Sequence, residues 1–203
     1  MGLSLEPDLV VQAFFIGNDI YDDLASSETE LTFQHPLKKG GVRTLLAQSV
    51  FIQWIFTKIS SVKYFDQFLF DAGLRYADRG IFLKDMPETE KKAWNRSLET
   101  LSDTRDILRE MDIAYRVAII PTSDQVRYGS YRNVNEDYRR PNDILARFFS
   151  ENEIIYLDLL PIFQQVPLKY ELYYSRDLHW TATGHRIVAA KLATWIAQYQ
   201  MCD

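Results

Sequence analysis

The sequence predicts an α/β protein, a parallel sheet with helices on its faces, and three observations lead there. Apolar, β-branched runs of strand length alternate with amphipathic stretches of helical period, in the order strand, helix, strand, helix, strand, helix. Each strand run ends at a turn signal: Gly17-Asn18, Pro121 or Pro161. The 203 residues, 47% apolar and 14% aromatic, suit one domain over 1–203 with enough apolar side chain to fill a core.

The first run, extended from Asp8 to Ile16, is apolar on both faces except for Gln12 once past Asp8, and reads as a strand buried on both sides, the kind found at the centre of a parallel sheet. It stops at Gly17-Asn18-Asp19. In open α/β sheets ligands sit beyond the carboxyl ends of the strands, so polar side chains there project into a site. Ile20 to Gly41 is polar and turn-rich and reads as a long loop with a short helix. Arg43 to Ser60 carries Leu46, Val50 and Trp54 beside Phe51, Ile55 and Ile59 at helical spacing, a broad apolar face. A helical insertion is therefore expected at about 42–85, although Phe65 to Leu83 shows no regular period.

Glu88 to Met111 is the clearest helix, with Trp94, Leu98, Leu101, Leu108 and Met111 on one side, Asp85 as its expected cap and Pro87 in its first turn. Ile113 to Ile120 follows as a second strand, with Thr122-Ser123-Asp124 just past its end. Tyr128 to Arg140 reads as a polar loop, Asn142 to Ser150 as a helix, and Ile154 to Leu159 as a third strand ended by Pro161. The last helix runs from about Thr183 to Tyr199, with Ile187, Val188, Leu192, Trp195 and Ile196. Repeats, low-complexity tracts and interdomain linkers are absent from the sequence.

Composition narrows the function. A net charge of −5 and a pI near 5.3 leave no basic footprint, which sets nucleic acid aside as a partner. Cys202 is the only cysteine, so an intrachain disulfide and a cysteine metal cluster are both excluded. The first residues have no signal-peptide pattern, and Met1-Gly2 lacks the hydroxyl residue at position 6 of a myristoylation signal. No apolar run reaches the length of a membrane span, about 18 residues.

The second informative stretch is Ser175-Arg176-Asp177-Leu178-His179-Trp180-Thr181-Ala182-Thr183-Gly184-His185, between the third strand and the last helix. An acid two residues from a histidine can bond one ring nitrogen, fix the tautomer and leave the other nitrogen as a base. Together with Pro-Asp-Leu-Val-Val running into Phe-Phe-Ile-Gly-Asn18-Asp19, it resembles the SGNH (GDSL-type) hydrolase superfamily: the first stretch is similar to its third block, Asp177-Leu178-His179-Trp180 with Gly184-His185 to its fifth. Trp94, Ile119-Ile120-Pro121 with Gln125-Val126, and Leu157 to Pro161 are similar to intervening segments of bacterial members.

The resemblance implies a flavodoxin-like three-layer α/β/α fold, a serine esterase mechanism without a cofactor or metal, and a small-molecule, glycan or lipid ester as substrate. His179 would be the base, Asp177 its orienting acid and Asn18 the oxyanion donor. Gly17, Asp19 and Gly184 would shape the backbone around them. Two departures, Ile16 where the family has glycine and Asp-x-His where many members have Asp-x-x-His, leave room for an acyltransferase.

The Gly-Asp-Ser block that supplies the family's nucleophile is not in the sequence. Ser4 precedes the first strand and, at about 3.3 Å per residue, would lie at least roughly 25 Å from Asn18. Ser123 is on the correct rim but lacks the motif. The expectation is therefore a C-terminal portion of a longer enzyme, inactive alone, whose missing N-terminal strands would flank the first strand. Such a missing segment could have carried an export signal, so the compartment stays open. Two rival readings remain: a non-catalytic binding protein on the same fold, and a metal enzyme using Asp177, His179 and His185 with His35. The spacing from His179 to His185 is not the i, i+4 of a helical metal motif.

Overall fold

The computed structural model describes residues 5–22, 80–128, 135–167, 171–174 and 179–200. The chain divides into two compact units, Met1–Ser26 with Gly80–Asp203 in one and Ser27–Arg79 in the other. Everything below belongs to the first. The second, with the broad-faced helix expected over Arg43 to Ser60, lies outside the described residues.

Three parallel strands form the sheet in the order β1-β2-β3: β1 is Leu9–Phe15, β2 Ala114–Ile120 and β3 Ile155–Asp158. Leu9 pairs with Ala114 and Phe15 with Ile120 along the first ladder, Arg116 with Ile155 and Ile119 with Asp158 along the second. The two ladders end together, because Ile16 N–H reaches Ile120 O at 3.1 Å and Leu159 N–H reaches Ile119 O at 3.2 Å. This is the parallel α/β sheet that the order of elements predicts, partial and consistent with the flavodoxin-like fold that the resemblance implies.

Among the described strands β2 lies in the middle and β1 at an end. Val117, Ala118 and Ile119 of β2 are buried, whereas Ala13 of β1 is exposed and most of its neighbours are half-buried. An apolar run reports that a strand is apolar, not how many neighbours it has. Gln12, the one polar residue in that run, is accounted for: its side-chain oxygen accepts a hydrogen bond from the buried Tyr115 hydroxyl on β2.

Side-chain alternation divides the core between the two faces of the sheet. Phe14, Val117 and Ile119 face one cluster, built with Ala93, Trp94 and Leu101 of α1 (Glu88–Glu110) and Leu145 and Phe149 of α3 (Arg140–Glu151). Ile120 and Leu157 turn the other way. They meet Val126 of α2 (Ser123–Tyr128), Leu160 and Phe163 of α4 (Leu160–Gln164), and Val188 of α5 (Ala182–Gln200). Arg116 points to this second face as well, its guanidinium 6.0 Å from the ring centre of Trp195, where a cation is attracted by the π-face.

The ends of the elements follow local chemistry. Pro87 itself is the N-cap of α1, with no side-chain cap, so Asp85 does not have the capping role expected of it. Pro141 and Pro161 lie in the first turns of α3 and α4, where the absent N–H costs nothing. Pro161 thus opens a helix as well as closing a strand. Helices α1 and α3 end alike, each in a left-handed residue, Asp112 (φ 56) and Glu153 (φ 55). Ile113 N–H then bonds Leu108 O, and Ile154 N–H bonds Phe149 O, both at 2.9 Å. This is the Schellman closure, and it feeds each helix directly into the next strand.

Candidate active site

The carboxyl ends of the three strands make one rim. Past β1 the chain turns at once: Asn18 O accepts from Tyr21 N–H and Asp22 N–H at 2.8 and 2.9 Å, opening a helical turn. Asp19 closes it from behind, its carboxylate accepting the Phe15 N–H at 2.8 Å. A Cβ on Gly17 would stand 2.5 Å from the Phe15 ring, so the turn folds tightly against its own strand. Ser97 of α1 backs the same turn, its buried hydroxyl 3.4 Å from the carbonyls of Asp19 and Ile20. The Asn18 side chain is exposed on this rim, and its amide donates to Asp22 Oδ2 at 2.7 Å.

His179 reaches the rim by a different route. Residues 172–174 and 179–181 form a short antiparallel pairing, in which Tyr173 faces Trp180. It is closed by Tyr174 N–H to His179 O at 3.1 Å and Thr181 N–H to Leu172 O at 3.0 Å. The Tyr173 hydroxyl, 2% exposed, donates to Pro121 O at 2.6 Å. Pro121 immediately follows Ile120, the partner of Phe15. The hairpin that carries His179 is therefore tied to the end of the sheet that carries Asn18. His179 and Tyr174 are both exposed there.

Helix α5 starts against the hairpin. The Thr181 hydroxyl accepts the Gly184 N–H at 3.3 Å, and a Cβ on Gly184 would meet Leu172 O at 2.5 Å and Trp180 Cβ at 2.9 Å. Glycine is what lets the helix sit this close. His185 lies in the first turn with its ring edge-on to Trp180, centroids 5.4 Å apart. Asp177 lies outside the described residues, as do Ser4 and His35. Among the described residues no three of His, Cys, Asp and Glu gather where a metal ion could be held. Ser123, at the first position of α2, is 4% exposed.

Sequence reasoning missed the polar floor under this rim. Gln125 of α2 is fully buried and fully used. Its side-chain oxygen takes the Thr122 N–H at 2.9 Å, and its amide donates to Tyr138 O at 2.8 Å and Asn142 Oδ1 at 2.6 Å. Asn142 passes the connection on to Asp158 Oδ1 at 2.8 Å, and Asp158 also accepts the Leu160 N–H at 2.9 Å. Arg139 stands 3.4 Å from its other oxygen. Burial pushes the Asp158 carboxyl above its ordinary pKa, against the lowering effect of the Leu160 N–H, Arg139 and Asn142. The available signal was that Asp158 ends β3 and Gln125 follows shortly after β2, where a buried polar group needs partners.

The parallel α/β sheet thus has a histidine-bearing loop tied to its carboxyl end through Pro121. The family described as "SGNH hydrolase-like domain, acetyltransferase AlgX" matches residues 78–202, and the chain belongs to that SGNH hydrolase-like family. The matched span includes His179 and Gly184 and begins after Gly17, Asn18 and Asp19. No curated protein and no solved structure matches the chain. An SGNH-like acyl or ester function in general follows from the family.

Proposed function

We propose that this domain serves acyl transfer through an ester, with an acetyl group as the acyl unit and a carbohydrate or lipid hydroxyl as donor or acceptor. The acetyl group rests on the acetyltransferase character of the matched family. The observation that carries the proposal is the placement of His179: exposed, on a hairpin anchored at Pro121, beyond the carboxyl end of β2. In the reaction a serine hydroxyl gives its proton to His179 as its oxygen attacks the ester carbonyl. Asn18 donates to the resulting oxyanion, and Asp177 holds the imidazole. Collapse expels the alcohol with the proton returned by His179, leaving an acyl-serine. Attack by a second hydroxyl, or by water, releases it by the same steps in reverse.

Because this sequence holds no Gly-Asp-Ser block, the test is labelling of the chain joined to a segment that supplies one, with a serine-directed phosphonate, read by mass spectrometry. A single serine adduct is expected, formed at least about 10³-fold more slowly in His179→Ala. Labelling at the same rate in both proteins would defeat the proposal. A second reading, a domain that binds its ligand without turning it over, is favoured by one observation. The Asn18 amide is bonded to Asp22, and an oxyanion donor would have to leave that bond or use its second N–H. That reading expects no serine adduct in either protein.

A further inference from the structure

The hairpin of residues 172–174 and 179–181 has only one pairing of its own, too little to hold a side chain in place. What fixes it is aromatic. Phe163 of α4 meets Tyr173 edge-on at 5.9 Å and Trp180 at 6.0 Å. The Tyr173 hydroxyl donates to Pro121 O, and Trp180 stands beside it, tempering the rise in pKa that burial causes. From the other side Arg127 of α2 approaches Tyr173 O at 3.4 Å. Tyr173 thus holds two jobs: its ring fills the core beneath α5, and its hydroxyl is the polar link between hairpin and sheet. Trp180 is the next residue after His179, and the His179 carbonyl is bonded to the residue after Tyr173.

We infer that Tyr173 is a positioning residue for His179, its hydroxyl fixing the imidazole to the end of β2 through Pro121. This rests on the reading of His179 as the base. A phenylalanine keeps the ring and removes only the link, so Tyr173→Phe separates position from packing. Val188→Ala, in the same core cluster but not in the hairpin, is the control for lost packing alone.

The experiment uses the full chain and follows the imidazole Cε1–H resonances of its three histidines together with the Trp180 indole N–H signal. Tyr173→Phe is expected to shift and broaden the His179 resonance and the indole signal, while Val188→Ala lowers the unfolding midpoint at least as much and leaves the His179 resonance in place. Trp180→Phe, which alters the ring packed on Phe163 beside the same hydroxyl, is expected to move the His179 resonance too and serves if Tyr173→Phe does not fold. An unmoved His179 resonance in the folded variant, or an equal displacement in Val188→Ala, overturns the inference. The two readings fail separately: if His179→Ala leaves serine labelling unchanged while Tyr173→Phe still moves the resonance, the base assignment falls and the positioning stands.

Discussion

Gly184→Ala sets two known effects against each other at one position. In an ordinary helix the change adds about 1 kcal/mol, because alanine loses less backbone entropy than glycine. Here the new Cβ would stand 2.5 Å from Leu172 O and 2.9 Å from Trp180 Cβ. Neither neighbour is the free end of a flexible side chain. Leu172 is fully buried, and its carbonyl accepts the Thr181 N–H at 3.0 Å. Overpacking against such a neighbour costs about 1–3 kcal/mol, and the rigid obstacle places this case near the top of the range. Loosening the Leu172 to Thr181 bond adds about 1 kcal/mol more. The clash wins by roughly 2–3 kcal/mol, which for a chain of this size lowers the melting midpoint by about 4–12 °C. Urea unfolding of the full chain, with the slope compared between the two proteins, measures it. A midpoint equal to or above wild type would show that α5 moves away from the hairpin at no cost, and the close approach would then mean nothing for His179.

Four further outcomes are expected. Asp158→Ala removes the acceptor of both Asn142 and the Leu160 N–H and should cost about 1–3 kcal/mol in urea unfolding, whereas Asp158→Asn keeps an oxygen for both and should cost little. Because burial raises the Asp158 pKa in the fold, the wild type binds a proton more tightly folded than unfolded. Its stability relative to Asp158→Asn should therefore be greatest below about pH 4 and decline as the pH rises through the raised value; a difference that grows with pH would reverse the assignment. Glu153→Gly should stabilise by about 1 kcal/mol, since a left-handed Glu costs about 1–2 kcal/mol and glycine returns less than that in chain entropy; Asp112→Gly should gain less, because Asp tolerates that conformation. In a preparation that turns over 4-nitrophenyl acetate through His179, Asn18→Ala should lower kcat by about 10²–10³-fold, and an unchanged kcat would remove Asn18 from the mechanism.

What the sequence made legible was period and punctuation. Trp94 and Leu101 lie on the buried stripe of α1, β2 stops immediately before Pro121, and β3 stops at Asp158, shortly before Pro161. The two shortest helices, Ser123–Tyr128 and Leu160–Gln164, were not legible, since neither is long enough to show a 3.6-residue period. The strand character of β1 was legible in its apolar run, with Phe14 and Phe15, but composition does not count a strand's neighbours. At the site, Asn18, His179 and Gly184 stand out by local spacing. Tyr173 and Gln125 do not, because each acts through partners far off in sequence: Pro121 for the one, Tyr138 and Asn142 for the other.

The rim is built by two different kinds of bond, and the difference bears on function. Its floor is a chain of paired side chains from Thr122 through Gln125 and Asn142 to Asp158, joining the ends of β2 and β3 to the starts of α2, α3 and α4. In a low-dielectric setting such a network is rigid when every member is satisfied, and costly when one is removed. Among the described residues, the hairpin above it is held by the Phe163, Tyr173 and Trp180 rings, by the Tyr173 hydroxyl on Pro121 O and by Arg127 at Tyr173 O. Floor and hairpin can therefore be perturbed separately. On the proposed reading of His179 as the base, a stiff sheet edge would fix where a substrate carbonyl lies, while the base would arrive on an element tied to it through Tyr173. A proposed enzyme that must admit an ester and then a second hydroxyl would gain from that division: the rim would stay put, and the base could yield without unfolding it.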